Sequence, residues 1–278
     1  MDVTGTPHIP KQRGERLLDA AVRYAEERHW DVLAGAWLDT VKGLQRCSCG
    51  QADCPAPGAH PTAPDWVNQA TGSPVVVRRM WARTPGASIL LPTGRTFDAL
   101  DVPESAGCLA LARMERRNVD LGPVTSTPDR RMLFFVLPGA AAKIPDLLRN
   151  LGWPPSSVDL AARGDGDYVV APPTRVGRHG PTQWARRPTA ANRWLPDAEE
   201  LVSTLAYACG RETRGRDTGG REPSGRETPG RRTSGRQTGG HETQGRDTRG
   251  REPQGRDGRE YRGHAPRSSQ GPDAPRRA

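Results

Sequence analysis

The sequence predicts an α+β domain, a mixed sheet with flanking helices and a Cys-rich loop, followed by a long C-terminal tail with no fold of its own. Three observations lead there. Between residues 15 and 209, short stretches with helical apolar spacing alternate with short strand-like stretches, as in mixed α and β architectures. Three cysteines and a histidine crowd into residues 47–60, within a proline-rich loop spanning 43–64. At residue 210 the composition changes: glycines stand at 210, 215, 220 and every fifth residue to 255, in the unit Gly-Arg-(Asp/Glu)-(Thr/Pro)-x.

Taken in order, residues 1–14 read as a polar arm. Leu17, Leu18, Ala21, Val22 and Ala25 then give the i, i+3, i+4 spacing of an amphipathic helix over Glu15–His29. Trp30–Leu38 is a partly alternating strand. After the cysteine loop, Ser73 and Pro74 supply an N-cap and N1 pair for a helix that stops before Pro85. Ala87–Leu91 is a short apolar strand ending in a Pro-Thr-Gly turn. The stretch Thr93–Gly107 then carries Asp98 and Asp101 on a second strand into a glycine-closed loop, with a helix over Leu109–Arg117. Pro123–Thr127 and Arg131–Leu137 form a hairpin turning at Pro128-Asp129. Lys143–Leu151 is a short helix. Val158–Ala162 and Asp167–Ala171 make a second hairpin across Gly164-Asp165-Gly166, and Asp197 caps a last helix, Ala198–Ala208.

Charge sharpens the division. The segment 210–278 holds 17 Arg, no Lys and 10 Asp or Glu, so it carries +7 of the chain's +9 and leaves the body near neutral. With almost no apolar residue to bury, it cannot offset its ordering entropy and is expected to be disordered. Its period matches neither the collagen triplet nor the coiled-coil heptad. The Arg and Gly content is like that of segments that coat single-stranded nucleic acid, although the acidic residues dilute the charge and the repeats hold no aromatic for stacking. No apolar run is long enough to cross a bilayer and Met1–Pro10 lacks a signal-peptide core, so no membrane association and a cytoplasmic location are expected.

Two constellations bear chemistry. Cys47, Cys49, Cys54 and His60 supply the three thiolates and one imidazole that tetrahedral Zn²⁺ favours, and five cysteines in a cytosolic chain do not suggest disulfides. A structural zinc is expected; the alternative is a proline-rich loop with free thiols. Asp101 and Asp159 sit at strand ends, where metal-dependent nucleotide enzymes hold their ions. Read without further context, they are two solvated surface aspartates.

These stretches resemble one family. Cys47–Pro61, ending in Pro57-Gly58-Ala59-His60-Pro61, looks like the Cys-rich insert of the bifunctional primase/polymerase (Prim-Pol) domain of the archaeo-eukaryotic primase superfamily, with Ala59 in place of a lysine. Val158–Thr174 is similar to that family's acidic strand, Gly turn, Tyr-Val-Val strand and Pro-Pro-Ser element, and Trp184 falls where the family has an aromatic. The resemblance covers about residues 15–200. It implies metal-binding aspartates at Asp101 and Asp159, held with Mg²⁺ or Mn²⁺ if the domain is active. The second aspartate of the paired motif is replaced by Pro103, and the motif histidine that contacts nucleotide phosphates is replaced by Met132; neither can do its predecessor's work. Arg130 and Arg131 remain as candidate phosphate-binding residues.

The reading is a primase/polymerase-like domain that binds DNA or nucleotide with lost or attenuated polymerase activity. A separate replication protein would supply any helicase, since no Walker-type loop occurs. One alternative is an active nucleotidyltransferase using Asp98 or Glu104 as a displaced ligand. Another is a zinc-stabilised protein-interaction module with the tail as a tether.

Overall fold

The structure, a computed structural model, describes residues 11–41 and 43–218. The expected arm falls almost wholly outside these residues, as does the repeat segment from 219 onward. In chain order the elements are α1 (Lys11–Arg28), β1 (Leu33–Gly35), β2 (Leu38–Val41), β3 (Leu44–Cys47), α2 (Trp66–Gln69), α3 (Pro74–Arg83), β4 (Ser88–Pro92), β5 (Asp98–Pro103) and α4 (Glu104–Arg116). They continue with β6 (Val124–Ser126), β7 (Arg131–Val136), α5 (Ala140–Asn150), β8 (Ala161–Arg163), β9 (Tyr168–Val170), β10 (Arg175–Val176), β11 (Gly180–Pro181), β12 (Gln183–Arg186) and α6 (Ala198–Thr218). The α+β class stands.

Two antiparallel sheets organise the body. One has the order β12-β6-β7-β5-β8 and the other β1-β4-β9. Strand β5 is buried along its whole length, and the two-residue period of a strand sorts its side chains. Leu100 and Val102 join Met132, Phe134 and Val136 of β7 in a core closed by Ala106 and Met114 of α4, Ile144 and Leu148 of α5, and Leu201 and Leu205 of α6. The opposite face, with Ala99, Leu133 and Phe135, packs on Phe97, Trp30 and the buried side of α1 and α3. Phe97 and Phe135 stack there with centroids 4.5 Å apart. Trp184 lies edge-on to Phe135 and donates its indole N–H to the Tyr24 hydroxyl at 3.1 Å, while that hydroxyl donates to the Pro172 carbonyl at 2.6 Å. Trp184 therefore packs, half-buried, against the edge of this core.

The structure redraws several expected elements. Trp30–Leu38 is not one strand: β1 joins β4, while β2 turns back through β3 to carry the cysteine loop. Helix α1 starts at Lys11, four residues inside the expected arm, and α6 runs past the expected end to Thr218, through the first two repeat glycines. Helix α4 begins at Glu104 rather than Leu109, so Gly107 lies within it instead of closing a loop. A Cβ at Gly107 would meet Met132 Sδ at 2.7 Å, so the close crossing of α4 over β7 explains the glycine.

The hairpin expected over 158–171 does not form. β8 pairs with β5 in the larger sheet, and β9 pairs with β4 in the smaller one. The chain crosses between sheets at Gly164–Asp167, beside the matching crossing from β4 to β5. The two crossings are tied together: Thr93 N–H donates to Asp167 O at 3.0 Å and Thr93 Oγ1 to Gly164 O at 2.6 Å. Gly94 has φ +95° and lies so close that a Cβ would be 2.5 Å from Asp165 Cα. The hairpin at 124–136, by contrast, forms as expected.

Candidate functional site

The β2–β3 hairpin brings Cys47 toward the loop that follows it. Among the described residues, Cys47, Cys49, Cys54 and His60 offer ligand atoms that all lie within 4.8 Å of one another. Sulfurs bound at about 2.3 Å to a tetrahedral Zn²⁺ stand about 3.8 Å apart, so the set has the right span. His60 Nε2 is 3.3 Å from Cys47 Sγ, while its Nδ1 is 2.7 Å from the Pro61 carbonyl. That second contact is the outer hydrogen bond that keeps the proton on Nδ1 and leaves Nε2 free to ligate. A backbone N–H of Gln51 pulls the Cys49 thiol down to about 7, whereas burial pushes Cys54 up to about 11. Gly58, with φ +73°, turns the loop and donates its N–H to Cys47 Sγ at 3.3 Å. This cluster can hold a metal ion, and its residues fit one.

The acidic pair is arranged differently. Asp101 projects from the β5 face that carries Leu133, and its side chain is 7% exposed. Arg131 stands on the same face of β7. Its Nε donates to Asp101 Oδ1 at 2.7 Å, and its Nη1 donates to Asp159 Oδ2 at 2.8 Å. Arg163 of β8 holds the other Asp101 oxygen, with Nη2 and Nε at 2.6 and 2.9 Å from Oδ2. One guanidinium thus bridges both candidate catalytic aspartates and a second completes the shell of the buried one. Burial works against the charge on Arg131, but the hydrogen bonds to Asp159 and Asp101 outweigh it and hold the guanidinium above its ordinary pKa. Nearby, burial and then the Asp159 charge push the Cys209 thiol up to about 12.

The remaining sequence candidates separate by face. Arg130, with φ +63° in the β6–β7 turn, points outward and reaches Glu104 Oε2 at 3.4 Å. Glu104 also accepts from Ser126 Oγ at 3.1 Å. Asp98 is buried and accepts from the Gly94 and Ala141 backbone N–H groups at 3.1 and 3.0 Å, so it fastens a turn and the start of α5. Pro103 pairs with Arg131. Met132 is not on the site at all: it faces α4, 1% exposed, with Cys108 Sγ at 3.6 Å from its sulfur. Strand parity therefore places Arg131, not Met132, beside the missing carboxylate.

A cleft of about 570 Å³ opens next to this cluster, between the cysteine loop and the sheet. Leu133, Tyr168 and Val170 form an apolar floor, while Arg163, Arg178 and His179 bring positive or titratable groups. The sequence reading passed over Arg163, although it lies in the closest-matching stretch, because a lone arginine carries no periodic signal. It likewise passed over Arg178 and His179, which reach the cleft only through the short β10–β11 hairpin.

The family model for the bifunctional DNA primase/polymerase N-terminal domain (Prim-Pol) matches residues 21–198. The chain belongs to that family. No curated protein matches it. A primase/polymerase-like function follows from the Prim-Pol membership, and the matched span includes the cysteine cluster, Asp101 and Asp159. The family's catalytic cations require carboxylate oxygens that face an ion. Here both Asp101 oxygens are occupied by guanidinium N–H groups, Asp159 shares one of those guanidiniums, and Pro103 offers no ligand atom. The residues at this position do not fit a catalytic divalent cation. Among the described residues, no helix is long and apolar enough to cross a membrane.

Proposed function

We propose that this chain is a nucleic-acid- or nucleotide-binding Prim-Pol domain without polymerase activity, stabilised by a structural Zn²⁺ on Cys47, Cys49, Cys54 and His60. The observation that carries the loss of activity is the Arg131 bridge between Asp101 and Asp159. A two-cation phosphoryl-transfer site needs free carboxylate oxygens at close range, and a guanidinium fork is a fixed positive group that accepts no ligand. The displaced-ligand alternative loses support, because Asp98 is committed to backbone N–H groups on the far side of a turn and Glu104 to Ser126 and Arg130. The deciding experiment is primer extension by the full chain on a primed single-stranded template, with Mg²⁺ and separately with Mn²⁺. The expected result is no incorporation with either ion; synthesis that Asp101→Ala abolishes would overturn the reading. Binding of single-stranded DNA that weakens with salt supports the nucleic-acid half of the proposal.

A further inference from the structure

On the helical side of the larger sheet, a hollow of about 240 Å³ opens at the surface between α4 and α6. Leu109, Arg113 and Arg116 lie at i, i+4 and i+7 on α4, and Thr204, Tyr207 and Arg211 at i, i+3 and i+7 on α6, so each helix lends it one stripe. The buried Ala110 and Ala208 form the floor, while Leu109 and Tyr207 stand open to solvent, 42% and 45% exposed. Arginines surround this apolar spot. Arg113 lies over the Tyr207 ring, 5.2 Å from its centroid, and Arg116 and Arg211 are exposed. Among the described residues none of these arginines has an ion pair, and no carboxylate lines the hollow. Of the neighbouring acids, Glu115 turns to Arg186 at 3.4 Å, and Glu212 lines the separate hollow beside Asp159.

We infer that the α4–α6 groove docks an acidic amphipathic helix of a partner protein, with one apolar side chain in the hollow and carboxylates on Arg116 and Arg211. The inference stands apart from the proposed function, since this face of the larger sheet is opposite the one that carries Asp101. Size favours a single side chain: the hollow is smaller than the about 300–1,000 Å³ of small-molecule sites. A groove between packed helices, with apolar contacts one turn apart, is the setting in which an amphipathic helix lays down its apolar face. Charge sets the sign of that helix. Unpaired guanidiniums around an apolar spot are met by Asp or Glu through paired N–H donors, and they reject a basic partner. Single-stranded nucleic acid would also meet the charge, but it gains affinity by stacking bases on aromatic faces. Arg113 already covers one face of Tyr207, and the alanine floor offers a base no polar group.

The test is fluorescence anisotropy of the full chain with a fluorescein-labelled helical peptide that carries leucines at i, i+4 and i+7 and glutamates beside them. A peptide of the same composition in scrambled order and a labelled oligothymidylate serve as comparisons. The amphipathic peptide should bind at least about tenfold more tightly than the scrambled one, the effect of seating one apolar anchor. Leu109→Gln should weaken its binding about tenfold, for the same reason. Arg116→Glu should weaken it about three- to tenfold, since an attraction at the rim becomes a repulsion. Both side chains are exposed, and circular dichroism confirms that the variants are folded. The inference is overturned if the amphipathic peptide does not bind, if the scrambled peptide binds equally well, or if neither substitution weakens binding. Oligothymidylate binding that both substitutions abolish would assign the groove to nucleic acid and overturn it as well.

Discussion

The cysteine loop and the aspartate pair are both sets of metal-ligand side chains, yet their surroundings are opposite in kind. In the loop, four ligand atoms converge within 4.8 Å, with Gly58 N–H donating to Cys47 Sγ and an outer hydrogen bond from His60 Nδ1 to Pro61 O that aims the imidazole inward. At the pair, two arginines occupy both Asp101 oxygens and one Asp159 oxygen at 2.6–2.9 Å. Ligand-type residues thus mark a metal centre only where nothing in the chain already neutralises them. A loop of prolines and glycines has little apolar surface of its own, and the proposed ion would hold it, whereas the strands of the larger sheet are fixed by their own core. On the proposed reading, the charge at Asp101 serves its ion pairs with Arg131 and Arg163.

The largest effect expected from this contrast comes from removing the metal. Cys47→Ser should drop bound zinc from about one equivalent to less than half and cost about 5 kcal/mol or more, since structural zinc supplies folding energy outright. At about 2–4 °C per kcal/mol for a domain of this size, the midpoint should fall by about 10 °C or more in differential scanning calorimetry. Asp101→Asn must leave the zinc content untouched. A full-length protein purified with no zinc and with a midpoint that chelator does not move would erase the contrast.

Next in size is the loss of the buried carboxylate. Asp101→Asn leaves Arg131 and Arg163 without their shared anion. Breaking a buried pair costs about 3–5 kcal/mol, but these arginines are 23% and 36% exposed, and water screens part of that, so about 2–3 kcal/mol is expected. Urea denaturation measures it. A stabilisation on Asp101→Asn, or tight Mg²⁺ binding by the parent that the substitution removes, would mean that the carboxylate is held ready for a cation instead.

The difference between the two regions was only half legible in the sequence. The cysteine cluster could be read directly, because Cys and His have few other reasons to crowd into fourteen residues and their partners lie close in the chain. The helix expected over 15–29 (found at Lys11–Arg28) and the α+β class followed from periodicity, and the hairpin at 124–136 from its flanking apolar runs and the Pro128-Asp129 turn. What could not be read was anything set by pairing at long range. The 158–171 stretch has the look of a hairpin because Gly164-Asp165-Gly166 is a good turn, yet its strands go to separate sheets, since Thr93 and Gly94 hold the turn at the crossing. Met132 aligns with the family histidine in sequence, while the register of β7 on β5 turns it into the helical core and gives its neighbour Arg131 the site face. Arg163 is 62 residues from Asp101, and no local pattern joins them.

The smallest expected effect separates the two aspartates from each other. Asp159 is 53% exposed and meets a single guanidinium, at 2.8 Å, on its outward side. An exposed pair of this kind contributes about 0.5–1 kcal/mol, because water solvates both charges nearly as well as they solvate each other. Asp159→Asn should therefore lower the midpoint by only about 1–4 °C, and Arg131 remains held by Asp101. Salt provides the discriminating arm. Raising ionic strength shortens the screening length from about 10 Å at 0.1 M to about 3 Å at 1 M, so the cost of Asp159→Asn should fade toward zero, while that of Asp101→Asn persists because its ion pairs are largely shielded from solvent. Equal costs for the two substitutions, both insensitive to salt, would mean that the aspartates act as one unit around a shared cation, and the arginine bridge would then lose its place as the group that fills the site.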